Sequence, residues 1–336
     1  MRLIVNIPAF NEAEKIASTI KSIPRVAKGM DEVLVQVVDD GSSDNTARIA
    51  RNAGADFVYS HDRNRGMGRT FKTSVEHALE NGADVMVNID ADGQFNSRDI
   101  QLLLTPILTG RADMVSANRF GDREAKNIPI AKDVLNRFAA RLIGWFMKSP
   151  IQDLTCGFRA YSRETLMRLN LLGDFTYTQE VIIDALGKNM RIEWVSVDVT
   201  YFVERKSRVV RSISRYVQQS TRIIVKAVRD VRPMKFFGIP GFILLTASFA
   251  IFITFLVFYF QDLKITPYRN YLFTSVALFI VGLQFIVFAL LADMVKSNRR
   301  LVEENLYLTR KLVYVPKSNG DARTNGRGER KKEIGN

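Results

Sequence analysis

Apolar residues fall in short, nearly unbroken runs at residues 2–7, 32–38, 56–59, 84–89 and 113–118. Runs of this length without alternation suit strands covered on both faces, as in a parallel sheet. Between them the apolar positions recur at helical spacing, which predicts helices over residues 12–23, 45–53, 70–81 and 97–108. Strands alternating with helices in this way imply a doubly wound α/β sheet. Ligands of such sheets sit beyond the carboxyl ends of the strands, and three polar clusters fall there: residues 8–12, 39–44 and 90–94.

After residue 118 the pattern changes. Residues 119–132 read as a mobile stretch, and residues 136–148 set Phe138, Leu142, Ile143, Trp145 and Phe146 against Arg137, Arg141 and Lys148. That spacing fits either a packed surface helix or a helix lying on a membrane. Over residues 211–231, Ile213, Tyr216, Val217, Ile223, Ile224, Val228 and Val231 alternate with Arg215, Arg222, Lys226 and Arg229. This is a basic amphipathic helix leading into an uncharged segment, so an interfacial helix is expected.

Residues 236–260 and 271–292 carry no charge, and each exceeds the roughly 20 residues a helix needs to cross a bilayer. Lys226, Arg229, Arg232 and Lys235 precede the first span, and Lys296, Arg299, Arg300, Arg310 and Lys311 follow the second. The loop between them offers only Lys264 and Arg269. The positive-inside rule therefore predicts a multi-pass protein of the cell membrane with the large N-terminal domain and the C-terminal tail in the cytoplasm. The apolar run of residues 1–10 is too short for a signal peptide, in line with that topology. The expected organisation is a globular domain over residues 1–210, an amphipathic helix over 211–235, a two-helix membrane hairpin over 236–295, a cytoplasmic helix over 296–315 and a disordered tail over 316–336. The post-membrane helix is a candidate surface for homo-oligomerisation.

Cys156 is the sole cysteine of the 336-residue chain, so neither a disulfide framework nor a cysteine-ligated zinc is expected. The net charge of +13 suits anionic lipids and phosphorylated substrates, and with no nucleic-acid motif present no nucleic-acid partner is expected. The candidate chemistry centres on Asp90-Ala91-Asp92-Gly93-Gln94, which ends an apolar run. Carboxylates on alternate residues of a strand point the same way and can converge on one divalent cation, although Asp and Gly are also ordinary turn formers. As a calcium loop the segment fails, because Phe95 stands at the glycine position and Gln101 at the closing glutamate.

Ile7-Pro8-Ala9-Phe10-Asn11-Glu12, Val37-Val38-Asp39-Asp40-Gly41-Ser42-Ser43-Asp44-Asn45-Thr46 and Asp90-Ala91-Asp92 together resemble, in order, the three signatures of family-two glycosyltransferases. The resemblance implies a Rossmann-like GT-A fold with a mixed sheet and an inverting transfer from a nucleotide-diphosphate sugar. It also implies that Pro8, Phe10, Glu12, Val38, Asp40 and Ala91 line the nucleotide-sugar site and that Asp90, Asp92 and Gln94 hold Mg²⁺ or Mn²⁺ at the diphosphate. Arg119 falls where such enzymes carry an arginine near the donor phosphates, and with Asp90 and Asp92 it completes the implied catalytic set.

The cytoplasmic domain followed by a membrane hairpin is similar to polyprenyl-phosphate glycosyltransferases acting on dolichyl or undecaprenyl phosphate. Asp153-Leu154-Thr155-Cys156-Gly157-Phe158-Arg159 resembles a segment of that group. Arg205-Lys206-Ser207-Arg208 replaces its longer acceptor-loop run, which leaves Arg205 and Arg208 open between binding substrate phosphates and binding lipid headgroups. Thr178-Gln179-Glu180 stands where hydroxyl-directed members carry a Glu-Asp base. A hydroxyl must lose a proton as it attacks, whereas a phosphate monoester is already largely dianionic at neutral pH. The expectation is a hexose transferred from a UDP- or GDP-sugar to polyprenyl phosphate at the cytoplasmic membrane face. The alternatives are a lipid or glycan hydroxyl acceptor with Glu180 as base, and a non-catalytic nucleotide-sugar-binding scaffold.

Overall fold

The protein was described as a computed structural model covering residues 1–120, 140–171, 177–199 and 232–314, together with residues 221, 225, 228 and 229. Five of its strands are those the apolar runs predict: β1 (Arg2–Ala9), β2 (Glu32–Asp39), β3 (Phe57–Ser60), β4 (Val85–Asn88) and β5 (Met114–Asn118). The sequence pattern did not show β6 (Arg159–Ser162) or β7 (Ile192–Ser196). The seven strands form one sheet in the order β3-β2-β1-β4-β6-β5-β7, and β6 alone runs antiparallel to its neighbours. The expected mixed sheet is therefore present, with its one reversed strand inserted between β4 and β5.

Successive side chains of a strand face opposite ways, and β1 shows what each face buries. Leu3, Val5 and Ile7 pack with Ile16, Ile20, Leu103 and Leu104 on one side. Ile4 joins Phe71, Met86, Tyr161 and Ile182 on the other. Helices α1 (Ile16–Ser22), α2 (Thr46–Asn52) and α4 (Ile100–Leu108) and helices α3 (Met67–Glu80), α6 (Arg163–Arg168) and α7 (Thr178–Gly187) supply these partners, while α5 covers residues 140–147. The first expected helix is shorter than its periodicity suggests. Asn11 takes a positive φ of 52°, and residues 12–15 close a turn on the Glu12 carbonyl before α1 begins. Helix α3 instead starts three residues earlier than expected, because Gly66 turns into it with a φ of 90° that other residues rarely adopt.

Two long helices follow, α8 (Pro233–Asp262) and α9 (Arg269–Tyr314), both long and apolar enough to cross a membrane. Small residues at heptad spacing bring them together: Gly241 and Ser248 on α8 and Ser275, Gly282 and Ala289 on α9 are all buried, with Gly241 against Gly282 and Ser248 against Ser275. A Cβ on Gly241 would lie 3.0 Å from Phe285 Cβ and 3.2 Å from the Gly282 carbonyl, and the Ser248 hydroxyl donates to the Ser275 carbonyl at 2.7 Å. Without a hydrophobic drive between helices in lipid, this close backbone approach and the buried hydrogen bond are what hold the hairpin.

The cytoplasmic helix expected over residues 296–315 is the direct continuation of α9, which runs unbroken for 46 residues. Its last turns lie on α6 and α7. The Tyr307 hydroxyl donates to Glu164 at 3.0 Å beneath the Arg168 guanidinium, which stands 3.9 Å over the Tyr307 ring. Arg310 donates to the carbonyls of Met167 and Leu169 at 2.9 Å, Lys188 approaches Glu303 at 3.5 Å, and Arg163 donates to the Tyr314 carbonyl. Most of the amphipathic helix expected over 211–235 and the whole tail 316–336 lie outside the described residues, although Val228 is buried in the second core.

Candidate active site

The loops after β1 and β2 are tied into one wall by side chains that complete each other's turns. The Asn11 amide donates to Ser42 Oγ at 2.8 Å, Asn11 Oδ1 accepts from the Ser43 amide at 2.9 Å, and the Glu12 amide donates to Thr46 Oγ1 at 2.9 Å. Pro8 and Val38 are paired in the sheet just below, both buried, while Phe10 and Glu12 stay partly exposed on the wall. Asp40 is buried with both oxygens engaged. They accept from the amides of Arg65 and Gly66 and from His61 Nδ1, all at 2.9 Å, so this carboxylate fastens the segment 61–66 to the end of β2. Gly41 makes that closure possible, since a Cβ there would lie 2.3 Å from the Arg63 carbonyl carbon and its φ is +69°.

Asp90 and Asp92 follow β4 at the centre of the sheet. A polar row leads to them across three strands on the α3 side. Gln36 on β2 donates to Asn6 Oδ1 at 2.9 Å, Asn6 on β1 to Asn88 Oδ1 at 2.7 Å, and Asn88 on β4 to the Tyr177 hydroxyl at 2.7 Å and the Gly157 carbonyl at 3.0 Å. Buried amides persist only when paired in this way, and the row fixes where Tyr177 and Gly157 stand. Tyr177 is held again by stacking on Phe71 at 4.1 Å between centroids. At Gly157 an added Cβ would lie 2.9 and 3.2 Å from the two Asp90 oxygens and 3.1 Å from the Tyr177 hydroxyl. The Asp90 carboxylate therefore rests against bare backbone.

Enclosure by these neighbours, and then the charge of Asp92, push the Asp90 carboxyl up to about 7, with Arg119 and Arg159 opposing the rise. A carboxylate pair in this condition gains from a divalent cation. The donor set fits Mg²⁺ or Mn²⁺ shared with a substrate diphosphate, because such ions are commonly held by one or two carboxylates plus phosphate oxygens rather than by an all-protein cage. Among the described residues no cluster of three or more Asp, Glu, His or Cys offers such a cage. Gln94 lies on the same turn, its amide donating to Asp92 Oδ1 at 3.1 Å, and Ala91 anchors the turn through its carbonyl to Thr19 Oγ1 at 3.0 Å.

Two arginines flank the pair. Arg119, directly after β5, is 7% exposed and grips Asp153 through Nε at 2.7 Å and Nη2 at 2.9 Å, with Thr155 Oγ1 at 2.6 Å. Burial alone would raise Asp153, but the Arg119 charge and hydrogen bonds outweigh it and hold the carboxyl below the usual range. Arg159, on the reversed strand β6, is fully buried and donates to Ser116 Oγ at 3.2 Å, the Thr178 carbonyl at 2.6 Å and the Leu154 carbonyl at 3.2 Å. These three acceptors are neutral, and its charge lowers Asp90. A cleft lined by Asn118, Phe120, Ala140, Arg141, Ile151 and Gln152 opens beside Arg119.

The structure thus gathers Pro8, Phe10, Glu12, Val38, Asp40, Asp90, Ala91, Asp92, Gln94 and Arg119 at the carboxyl ends of β1, β2, β4 and β5. Arg205 and Arg208 lie outside the described residues. Glu180 sits in the first turn of α7, three residues beyond Tyr177. Sequence reasoning missed Asn88, Gly157, Arg159 and Tyr177 as parts of the site. The arginine after Gly157-Phe158 stood in view within a quoted segment; the reversed strand that buries it did not.

Residues 4–169 match the family model described as Glycosyl transferase family 2. A UDP-N-acetylglucosamine–dolichyl-phosphate N-acetylglucosaminyltransferase of Methanococcus voltae is 30% identical over 184 residues, which cover 49% of this chain and 70% of that one. An undecaprenyl-phosphate mannosyltransferase of Micrococcus luteus is 30% identical over 220 residues, covering 61% of this chain and 85% of that one. Among solved structures, glucosyl-3-phosphoglycerate synthase from Mycobacterium tuberculosis, in complex with Mn²⁺, UDP and glucosyl-3-phosphoglycerate, superposes with a TM-score of 0.55 at 22% identity over 68% of this chain and 80% of that one. That likeness establishes a GT-A-like fold for the sheet and its helices. A mixed sheet of this order, the loop signatures at its strand ends and relatives that align over most of their own length lead to one conclusion: this chain belongs to glycosyltransferase family 2.

Proposed function

We propose that the chain is an inverting hexosyltransferase that moves a sugar from a UDP- or GDP-sugar to polyprenyl phosphate, dolichyl or undecaprenyl, at the cytoplasmic face of the membrane. The observation that carries this reading is the pairing of Asp90 and Asp92 at the sheet centre beside buried Arg119, in a domain braced on a helix long enough to cross the bilayer. The named relatives in Methanococcus voltae and Micrococcus luteus, whose acceptors are lipid phosphates, support the acceptor class.

The wall of Pro8, Phe10, Glu12 and Val38 would receive the nucleoside, with Asp40 keeping its rim closed. Asp90, Asp92 and Gln94 would hold Mg²⁺ or Mn²⁺, which when bound neutralises charge developing on the departing diphosphate. Arg119, locked in the plane set by Asp153, presents its guanidinium to a phosphate with little side-chain entropy left to lose. A phosphate acceptor arrives already ionised, so positioning it behind the anomeric carbon is the main demand on the protein. Arg205 and Arg208 are proposed to serve that positioning.

The test is direct. Protein in lipid nanodiscs with undecaprenyl or dolichyl phosphate, Mn²⁺ and each of several labelled UDP- and GDP-sugars is expected to yield a lipid-linked sugar of inverted anomeric configuration. Labelled saccharide or diacylglycerol in its place would move the assignment to a hydroxyl acceptor, with Glu180→Gln then abolishing turnover. Nucleotide binding without turnover on any acceptor would indicate a scaffold.

A further inference from the structure

The part of α9 that leaves the membrane has two faces, and among the described residues only one packs on the rest of the chain. Arg299, Glu303, Tyr307, Arg310 and Tyr314 turn toward α6 and α7. On the opposite side Met294, Asn298, Leu301, Asn305, Leu308 and Leu312 are all exposed, at successive intervals of 4, 3, 4, 3 and 4 residues. That is the spacing of a heptad seam with Met294, Leu301 and Leu308 at d and Asn298, Asn305 and Leu312 at a. Leu301, Leu308 and Leu312 expose 67%, 49% and 79% of their surface, and Val302 and Val313 beside them 67% and 68%. Leaving so much leucine and valine surface to water on a helix that extends beyond the bilayer is unfavourable.

We propose that this face is the dimer interface of the protein: the α9 helices of two copies pair as a parallel, two-stranded coiled coil just outside the membrane. Three observations favour a second copy as the occupant. Copies inserted the same way emerge with their α9 helices parallel and at the same height, so each seam position meets its own equivalent. Leucine at d suits a parallel pair, and asparagine at a sets its register at some cost in stability, because once the seam closes over them Asn298 and Asn305 can each pair with their equivalents in the other copy. The area is of the right order: Met294, Leu301, Val302, Leu308 and Leu312 together present on the order of 600 Å² per copy, at the lower end of the ~600–1,000 Å² each partner contributes to a standard interface. The inference requires α9 to cross a membrane but is independent of the acceptor assigned above.

Cys156 is buried, so single-cysteine variants report on their own position. Full-length protein in nanodiscs is expected to have the mass of two chains. Oxidation should join pairs through Leu301→Cys and through Leu308→Cys but not through Arg300→Cys, which lies off the seam. Leu301→Glu with Leu308→Glu should give single chains that keep the melting temperature of the catalytic domain. Asn305→Ile should keep or strengthen association while admitting larger assemblies. A single-chain mass for the unaltered protein, with no cross-link at either leucine, would overturn the proposal. Cross-linking of Arg300→Cys as efficient as that of Leu301→Cys would do the same, since it would reflect collision. So would a single-chain protein in which deleting residues 316–336 raises hydrogen exchange over residues 298–312, because the chain's own tail would then be the cover.

Discussion

Gly157→Ala is the smallest change that should reach the reaction centre. The added methyl carbon would stand 2.9 Å from one Asp90 oxygen, 3.2 Å from the other and 3.1 Å from the Tyr177 hydroxyl. Carbon and oxygen ordinarily approach to about 3.4 Å, so something must retreat by roughly 0.5 Å. Tyr177 has little room to do so, being bonded to Asn88 at 2.7 Å and stacked on Phe71. The Asp90 carboxylate is left to move, and with it the metal and diphosphate it would orient. Misplacement by about 1 Å can cost ~100-fold in rate, so turnover should fall by about tenfold to 100-fold. Overpacking should lower stability by about 1–3 kcal/mol, a few degrees in melting temperature per kcal/mol. The assay compares lipid-linked product formation and Mn²⁺ affinity with Gly238→Ala, where an added Cβ meets nothing within 4 Å and both should stay unchanged. A folded Gly157→Ala protein with undiminished turnover and Mn²⁺ affinity would refute the placement of Asp90 against this backbone.

The pH dependence has a worked sign. Asp90 is raised from 3.8 to about 7, chiefly by burial, so in metal-free protein its ionisation costs stability progressively between pH 4 and 7, and Mn²⁺ must displace a proton below about 7. Thermal shift by Mn²⁺ should therefore grow as pH rises to about 7 and then level off, and a flat profile from pH 5 to 8 would count against it. Arg159→Gln removes a charge that lowers Asp90 and should move that profile to higher pH. Asp153→Asn leaves the buried Arg119 without its carboxylate and should cost about 3–5 kcal/mol, read by thermal or urea melting. Gly241→Leu would drive a side chain into Phe285 and the Gly282 backbone and should separate α8 from α9, read as protease sensitivity of the hairpin in nanodiscs.

What could be read from the chain alone followed the range of each signal. Strands β1 to β5 were legible as short apolar runs, four of them because both faces are buried, and Asp39, Asp40, Asp90 and Asp92 stood out because they form short polar clusters directly after such runs. Strand β6 was not legible. Its four residues, Arg-Ala-Tyr-Ser, carry an arginine and a tyrosine, and only the tertiary structure, through Ser116, Leu154 and Thr178, makes a buried arginine tolerable there. The same holds for Asn6, Gln36 and Asn88, each an interruption of an apolar run in sequence and consecutive members of one hydrogen-bonded row in space. Asp40 illustrates a further limit. Its position in the motif was plain, but that its carboxylate closes onto Arg65 and Gly66 depends on a contact across 25 and 26 residues.

The reversed strand also explains how one sheet serves two charges of opposite sign at its centre. Strand β6 pairs Asn88 with Arg159 and Val87 with Ala160, which sets the Arg159 guanidinium under the end of β4 where Asp90 begins. On its other edge it pairs Ser116 with Arg159, so the hydroxyl that steadies this guanidinium comes from the strand that leads into Arg119. The reversed strand therefore sets Arg159 between the strand that leads into Asp90 and the strand that leads into Arg119. Its neighbouring segment supplies Asp153 to hold Arg119 and Gly157 to admit Asp90. Placing cations this close holds the Asp90 carboxyl near 7 rather than higher, where a divalent ion can still displace its proton at physiological pH. Without Arg159 the Asp90 carboxyl would rise further, and a divalent ion would have to compete with the proton at higher pH.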